Sequence, residues 1–232
     1  MILAIDSTTK KAAASLMINE NNIVVKSIDN EITHSEKLLP LLDELLKENN
    51  VTLKEIDKFA CTLGPGSFTG VRIGIATVKA LAKVLNKDII GTTSLNLLAI
   101  DGLTQNTNHK YILSTMDAKN NRIYYELFEV ILNDSNEYTL NSLNFQGNLP
   151  YEVVIDILKE KNIDNILVVS DNMKMLQNAF VSNFNNISVI QGELKLENIF
   201  KNLSSYPVYN YDNLDAMYFR SSEAERTKNG EI

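Results

Sequence analysis

A glycine-rich turn carries the most distinctive chemistry in this sequence: Gly64-Pro65-Gly66 stands between an apolar run and a run of helix-forming residues. The apolar run, residues 59–63, is typical of a buried strand. Ser67 or Thr69 can cap the helix that follows, where backbone N–H groups lack partners. A strand, a glycine turn and a capped helix together can bind a phosphate. The alternative is a tight turn that only packs the helix on a sheet, and the stretch alone leaves both interpretations open.

A second polar turn, Asp6-Ser7-Thr8, follows a predicted strand at residues 2–5 and precedes another at 12–18. An acid followed by hydroxyl groups in a hairpin turn could hold phosphate or a metal-bound water. It could equally be an Asx turn, in which the carboxylate accepts a hydrogen bond from a nearby backbone N–H group.

Other catalytic chemistry has little support from the sequence. For His34, which opens a predicted helix, a capping or loop role outweighs catalysis, and the only other histidine is His109. The single cysteine, Cys61, lies in the apolar strand without a basic neighbour, so an activated thiol is not expected. The motifs C-x-x-C, H-E-x-x-H and G-x-S-x-G are absent.

The composition predicts an acidic globular protein of the cytoplasm. The 232 residues are 44% hydrophobic, enough for one large domain or two small ones. Residues 1–110 carry 12 basic and 12 acidic side chains, whereas residues 111–232 carry 10 and 17, so the net charge of −7 belongs to the second half. That excess disfavours direct, tight binding of nucleic acid. The chain shows no long apolar run for a membrane span and no basic signal-peptide start, and one cysteine fits a reducing compartment.

The clearest predicted helix covers residues 34–49 and contains six leucines within nine residues. At about 100° per residue they span an arc of roughly 160°, wider than the stripe of about 100° that a core-facing helix needs. The surplus indicates contact with two surfaces, a sheet and a partner, although a deeply buried helix would look the same. The leucines are Leu38, Leu39, Leu41, Leu42, Leu45 and Leu46.

The helix predicted at residues 67–85 has apolar residues at steps of three and four, Ile75 and Val78 among them. Gly70 and Gly74 lie four apart, which lets another backbone approach closely. Because glycine lowers helix stability by up to about 1 kcal/mol relative to alanine, we expect a packing reason for both. Arg72 interrupts the apolar pattern and is expected to reach solvent or an acid of a partner.

The order of elements predicts an internal duplication. A hairpin turned at Asp6 begins the first half, and a hairpin turned at Asp117 begins the second; alternating helices and strands follow each. We therefore predict an α/β fold of two mixed sheets flanked by helices. In the second half we predict strands at 111–116, 123–132, 166–170 and 187–190, and helices at 151–161, 173–180 and 194–203. Residues 133–150 are predicted to form a polar, Asn-rich insert around weak strand signals.

Several motifs, in order and at appropriate spacing over most of the chain, resemble the TsaB (YeaZ) family. The most specific is G-P-G-S-F-T-G-V-R-I-G at 64–74; weaker ones are I-L-A-I-D-S-T at 2–8, H-S-E-K-L-L-P at 34–40, I-I-G-T-T-S-L at 89–95, D-A-K at 117–119 and Y-F-R-S-S-E-A-E at 218–225. The resemblance implies a duplicated actin/Hsp70-like (ASKHA, RNase H-like) fold with subdomains at 1–103 and 104–232, the second degenerate. It also implies a non-catalytic partner of TsaD, the paralogous subunit that makes N6-threonylcarbamoyladenosine at position 37 of tRNA from threonylcarbamoyl-adenylate.

Two features that TsaD needs are missing here. TsaD is expected to hold its metal with two histidines four apart on a helix, and the matching positions are Ser94 and Leu98. Leucine cannot ligate a metal, and a lone serine hydroxyl is a poor ligand. TsaD also has a glycine-rich nucleotide site in its second half, where this chain has only Gly147, Gly192 and Gly230. We therefore expect no catalytic residue, no metal and no cofactor.

The resulting hypothesis is a scaffold subunit that binds TsaD as a heterodimer and, with it, supports the ATPase TsaE. It would contact tRNA only through the complex, would not bind membranes, and could form a homodimer when alone. The alternative is an independent nucleotide-binding enzyme of the same superfamily. The predicted surface for TsaD or self is Leu38, Leu39, Leu42, Leu45, Leu46, Gly70, Arg72, Gly74, Ile75 and Val78. The possible vestigial phosphate loops are Asp6, Ser7 and Thr8, and Gly64, Gly66 and Ser67.

Overall fold

The computed structural model describes residues 1–29, 34–106, 108–133 and 136–219. The side chain of His34 and the motif residues beyond 219 lie outside this description, so the capping role of His34 and the last part of the 218–225 motif stay predictions. The chain divides into two compact units, which are described separately: Met1–Ser94 with the described residues from Leu196 onward, and Leu95–Lys195. The predicted boundary between residues 103 and 104 stays a prediction; these units differ from it mainly because residues 196–219 pack with the first unit.

The described elements follow in chain order. They are β1 (Ile2–Asp6), β2 (Lys11–Asn19), β3 (Asn22–Asp29), α1 (His34–Glu48), β4 (Lys58–Thr62), α2 (Phe68–Leu85), β5 (Asp88–Thr92), α3 (Ser94–Gln105), β6 (Tyr111–Asp117), β7 (Arg122–Leu132), β8 (Tyr138–Pro150), α4 (Tyr151–Glu160), β9 (Ile166–Ser170), α5 (Met173–Val181), β10 (Ile187–Gln191) and β11 (Val208–Tyr209), with 3-10 helices at Leu53–Glu55 and Leu196–Ser205.

The two sheets share one topology. The first has the strand order β11-β5-β4-β1-β2-β3, and the second has β10-β9-β6-β7-β8. In each, the first three strands form an antiparallel meander, and two later strands add in parallel beside the first. Among the described strands, only β11 has no counterpart in the second sheet. This repeat confirms the predicted duplicated α/β fold of two mixed sheets flanked by helices.

Each unit has its own apolar core. In the first, Leu3 and Ile5 of β1 belong to one buried cluster with the leucines of α1 and with Val71, Ile75 and Val78 of α2. Alternate residues of a strand face opposite sides of a sheet, which explains why every second residue of β1 joins this cluster. In the second unit, Leu113, Val168 and Phe180 belong to the corresponding cluster with α4 and α5.

The predicted elements differ from the structure mainly in one edge strand of each sheet and in the final helix. The polar insert predicted at 133–150 is largely strand, because β8 pairs along β7 over most of its length. The final helix predicted at 194–203 is a 3-10 helix at Leu196–Ser205 with a non-helical residue at Asn202. The two-residue strand β11, which pairs with β5, was not predicted, since two residues carry no periodic signal.

Candidate functional site

The two polar turns lie side by side, because β1 and β4 are parallel neighbours and both turns follow their carboxyl ends. The Ser67 N–H donates to the Thr8 carbonyl at 2.6 Å. Ser67 is also the cap of α2, since its hydroxyl accepts from the Gly70 N–H at 3.2 Å. The capping role predicted for Ser67 is therefore confirmed, and a backbone carbonyl of the Asp6 turn lies at the start of the helix.

The glycines of this region lie against the Asp6 turn. A Cβ on Gly70 would lie 1.9 Å from the Ser7 carbonyl oxygen, and one on Gly66 would lie 2.2 Å from that of Thr8. A Cβ on Gly74 would lie 2.8 Å from the Ser7 hydroxyl. The helix therefore packs directly on the backbone of the turn, and this close approach requires glycine. Gly64 needs glycine for a different reason, since its φ is +102°.

Asp6 is the centre of a buried hydrogen-bond network. Its Oδ1 accepts from the Thr8 hydroxyl at 2.7 Å, from the Thr8 N–H at 3.2 Å and from the Thr62 hydroxyl. The Ser94 hydroxyl donates to that of Thr8 at 3.1 Å, and the Ser7 hydroxyl donates to the Gly70 carbonyl at 2.8 Å. The predicted Asx turn is thus present, and the polar groups of both turns bond to one another.

The Cys61 thiol is close to this network but is not activated by it. Burial, and secondly the charge of Asp6, raise the pKa of Cys61 to about 12 from 9.0. A thiol that keeps its proton well above neutral pH is a poor nucleophile.

No metal cluster accompanies the two turns. Ser94 and Leu98, at the positions where histidines were considered, are both buried. Within the described ranges, no group of three or more histidine, cysteine, aspartate or glutamate side chains could hold a metal ion. No helix in the same part of the chain is long and apolar enough to cross a membrane.

The leucines of α1 face the core of their own unit. Leu38, Leu42, Leu45 and Leu46 of the predicted partner surface are buried there, whereas Leu39 is 56% exposed. Full burial of a leucine side chain stabilises a fold by about 1.5–3 kcal/mol, so these four side chains hold the helix on its sheet. The idea that the wide leucine arc serves a partner is therefore wrong for all but Leu39, because the arc is filled by the unit's own core.

The glycine row of α2 also faces inward. Gly70, Gly74 and Val78 are buried, and Ile75 is only 7% exposed within the core cluster. The prediction that Ile75 lies on the outward edge is therefore wrong, and a charge there would disrupt the fold itself. The outward row was missed. It consists of Ala76, Ala80 and Val84, which repeat every four residues and are exposed, Val84 by 83%.

Arg72, at the outer face of α2, is held by aromatic rings. Its guanidinium lies 3.8 Å from the centre of the Phe68 ring, and its Nε donates to the Tyr218 hydroxyl at 2.9 Å. Farther along the helix, the Lys79 ammonium donates to the Leu214 carbonyl at 3.0 Å. The segment 206–219 thus runs antiparallel to α2, and Met217 reaches the glycine turn, where its N–H donates to the Leu63 carbonyl at 2.7 Å.

The corresponding turn of the second unit is stabilised by its own side chains. Lys119 donates to Asp117 through its backbone N–H at 2.7 Å and through its ammonium at 2.8 Å. Burial opposes ionisation of Asp117, but the bonds and charge of Lys119 outweigh it and lower the pKa of this carboxyl. The neighbouring Asp171 has its pKa raised by burial, and it accepts from the Asp117 N–H at 2.8 Å.

The sequence comparisons match this chain to TsaD and TsaB proteins. The profile of the TsaD family, described as tRNA N6-adenosine threonylcarbamoyltransferase, matches residues 28–190. The TsaB protein of Escherichia coli is 30% identical over 128 residues, which are 55% of this chain and 54% of the relative. That of Haemophilus influenzae is 27% identical over 124 residues, 53% and 52% of the two chains. The match thus spans about half the length of these curated relatives. A tRNA N6-adenosine threonylcarbamoyltransferase of Sphingopyxis alaskensis is 28% identical over 111 residues, 41% of this chain and 32% of that protein.

Solved structures agree in fold. YeaZ from Pseudomonas aeruginosa superimposes with a TM-score of 0.71 at 21% identity, covering 94% of this chain and 98% of that one. A second Pseudomonas aeruginosa structure, described as similar to peptidase YeaZ, gives a TM-score of 0.73 at 20% identity, covering 94% and 99%. At these identities the likeness shows the fold alone.

Proposed function

Since this chain belongs to the TsaB (YeaZ) branch of the TsaD family, we propose that it is a non-catalytic subunit in the synthesis of N6-threonylcarbamoyladenosine in tRNA. In this role it supports a catalytic TsaD subunit and, together with it, the ATPase TsaE. Its place of action is the cytoplasm.

One observation carries the non-catalytic part of the proposal. The Asp6 turn and the start of α2, which could have received a phosphate, are in direct contact: a Cβ on Gly70 would fall 1.9 Å from the Ser7 carbonyl. A phosphate needs backbone N–H groups that point at open space at a helix start. Here the Ser67 N–H donates to Thr8 and the Gly70 N–H donates to Ser67. This packing supports the proposal that the glycines serve close contact and that the loops are vestigial as phosphate sites.

The outward row of α2, together with Leu39 of α1, is the proposed surface for TsaD. Ala76, Ala80 and Val84 form an exposed stripe of small apolar side chains, which lets a partner helix approach closely. Because TsaD relatives resemble this chain in sequence, the same pair of helices in TsaD is the proposed counterpart. A second copy of this chain is the proposed occupant when TsaD is missing. A stable interface buries about 1,200–2,000 Å² in total.

The test is binding of the Val84→Glu variant to the TsaD of the same organism, measured by calorimetry. A carboxylate buried without a partner costs several kcal/mol, so affinity should fall by roughly a hundredfold or more. The matched control is Val181→Glu, the same substitution at an exposed position of α5 in the second unit. Both variants should melt like the unaltered protein, because both side chains are exposed. Unchanged binding of Val84→Glu and of Ala80→Glu would exclude this surface.

An independent nucleotide-binding enzyme remains the second candidate, since the family profile that matches the chain is that of a transferase. In this case Asp6, Ser7, Thr8 and the Gly64–Gly66 turn would receive a phosphate group. Titration of the isolated chain with ATP separates the two functions. Micromolar binding accompanied by turnover would favour the enzyme, whereas the scaffold proposal expects neither.

A further inference from the structure

A groove lies on the first unit beside β3, away from the helices discussed above. Its volume is about 690 Å³. One wall consists of Met17, Ile23 and Val25 from the β2–β3 hairpin, and the other of Phe200 and Leu203 from the 3-10 helix. We call this feature the β3 groove. Ile23 and Val25 are 39% and 45% exposed, so the 3-10 helix covers them only in part.

The strand that forms this wall is the edge of its sheet. The strand order ends at β3, and no described strand pairs on its outer side. The Ser15 hydroxyl of β2 donates to the Val24 carbonyl at 3.1 Å, which shows that this carbonyl points toward β2. Successive backbone groups of a strand point to opposite sides. The N–H and C=O groups of Ile23 and Val25 therefore point to the open edge, and the same two residues direct their side chains into the groove.

The rim of the groove has an excess of acid. Glu20 and Glu197 line it, and neither carboxylate forms an ion pair or hydrogen bond with a residue of the described ranges. Lys201 is the single basic side chain among the groove residues, and it is likewise unpaired within the described ranges. Lys26, on the opposite face of the strand, bonds to Glu44 and Glu48 of α1 and leaves the groove free.

We propose that the β3 groove binds an extended segment of another protein, which adds beside β3 as a seventh strand. Main-chain bonds to Ile23 and Val25 would hold the segment, and its alternate side chains would fill the apolar groove, as in other cases of strand addition. The apolar walls favour aliphatic or β-branched side chains. The two unpaired carboxylates favour a lysine or arginine beside them. A second copy of this chain fits less well, because its own groove would bring the same acidic rim to the interface. This inference is independent of the surface on α1 and α2.

The test uses a synthetic nine-residue peptide that alternates valine with threonine and carries lysine at both ends. The matched peptide carries glutamate at both ends instead. Binding is followed by NMR through the backbone amide signals of the full chain. We expect the lysine peptide to shift the amide signals of Ile23 and Val25, and the glutamate peptide to bind more weakly. The double variant Glu20→Gln, Glu197→Gln should lower the affinity for the lysine peptide between about twofold and thirtyfold, which is the effect expected from the loss of two exposed ion pairs.

A second variant tests the strand itself. Val25→Lys places a charge in the apolar groove beside the open edge and should reduce binding of the lysine peptide about tenfold, since charged edge strands oppose strand addition. The control is Ser27→Lys, on the same face of β3 but outside the residues that line the groove. Three results would overturn the proposal: no binding of either peptide at about 1 mM, amide shifts confined to other elements, or equal binding by the Val25→Lys and Ser27→Lys variants.

Discussion

At the scale of single residues, α2 meets the Asp6 turn in close backbone contact. Gly70 and Gly66 have no space for a methyl group, since the nearest atoms are backbone carbonyl oxygens of Ser7 and Thr8. These backbone atoms cannot move independently, because their turn directly follows the central strand β1. The helix cannot move away easily either, because Val71 and Val78 hold it in the core. The glycines are therefore required by the fold.

Gly70→Ala should lower the free energy of unfolding by about 1–3 kcal/mol or more, as expected when a packed core must accept an extra methyl group. The higher helix propensity of alanine, worth up to about 1 kcal/mol, offsets only part of this loss. Urea denaturation measures the difference. The control is Ala76→Gly on the exposed face of the same helix, which should cost about 1 kcal/mol through propensity alone. Equal stability of Gly70→Ala and the unaltered protein would contradict the packing described here.

Cys61 should resist alkylation in the folded chain at about pH 8 and react readily once urea has unfolded it. Its raised pKa also links stability to pH. The unfolded thiol ionises near its ordinary value of 9.0, while the folded thiol keeps its proton until about pH 12. The stabilisation is therefore complete below about pH 9 and is lost as the pH rises toward 12. Cys61→Ala should show a smaller decline in stability over this range. Equal labelling of Cys61 in the folded and unfolded chains would refute the assignment.

At the scale of elements, the segment 206–219 acts as an outer support of α2. Leu214 is fully buried in the core cluster of the first unit, and Tyr218 stacks beside Phe68 with ring centres 5.1 Å apart. The support is mostly apolar, because Tyr218 and Arg72 are exposed and their hydrogen bond is solvated.

Leu214→Ala should destabilise the first unit by about 2–5 kcal/mol, the range for removing a buried leucine side chain. Its neighbour Asp215 is exposed, so Asp215→Ala should change stability by less than about 0.5 kcal/mol. Thermal melts of the two variants give the comparison. If the two melted alike, the segment would contribute no packing to α2.

The sequence predicted most elements because their patterns are local. The strands of β1, β4 and β9 are continuous apolar runs, and α1 has its leucines at helical spacing. The face that α2 turns inward was not predicted, since both of its rows contain small or apolar residues. The glycine row was assigned to a partner, whereas the structure shows that its close approach is to the Asp6 turn. For the strand β8 the sequence carries only weak strand signals, because its 13 residues include polar ones on a sheet edge, where alternation is weak.

At the scale of the whole molecule, the charge sets limits on the partners. The net charge is −7, with the acidic excess in residues 111–232. Binding of tRNA depends on several lysine or arginine contacts with phosphates, and about six are needed for strong affinity. We therefore expect no measurable binding of tRNA by the isolated chain at an ionic strength of about 0.15 M. Fluorescence anisotropy with labelled tRNA tests this, and a submicromolar complex at that salt would refute it.

The return of the C-terminal residues to the first unit has a consequence for the order in which the protein acquires its structure during synthesis. The second unit, Leu95–Lys195, is one continuous stretch and can fold as soon as it has emerged from the ribosome. The first unit must wait for Val208 to pair with Ile90 and for Leu214 to fill its core, although its strand β1 is made first. A released chain that ends at residue 195 should therefore have a protease-resistant second unit, while the first unit, although made earlier, is still easily cleaved.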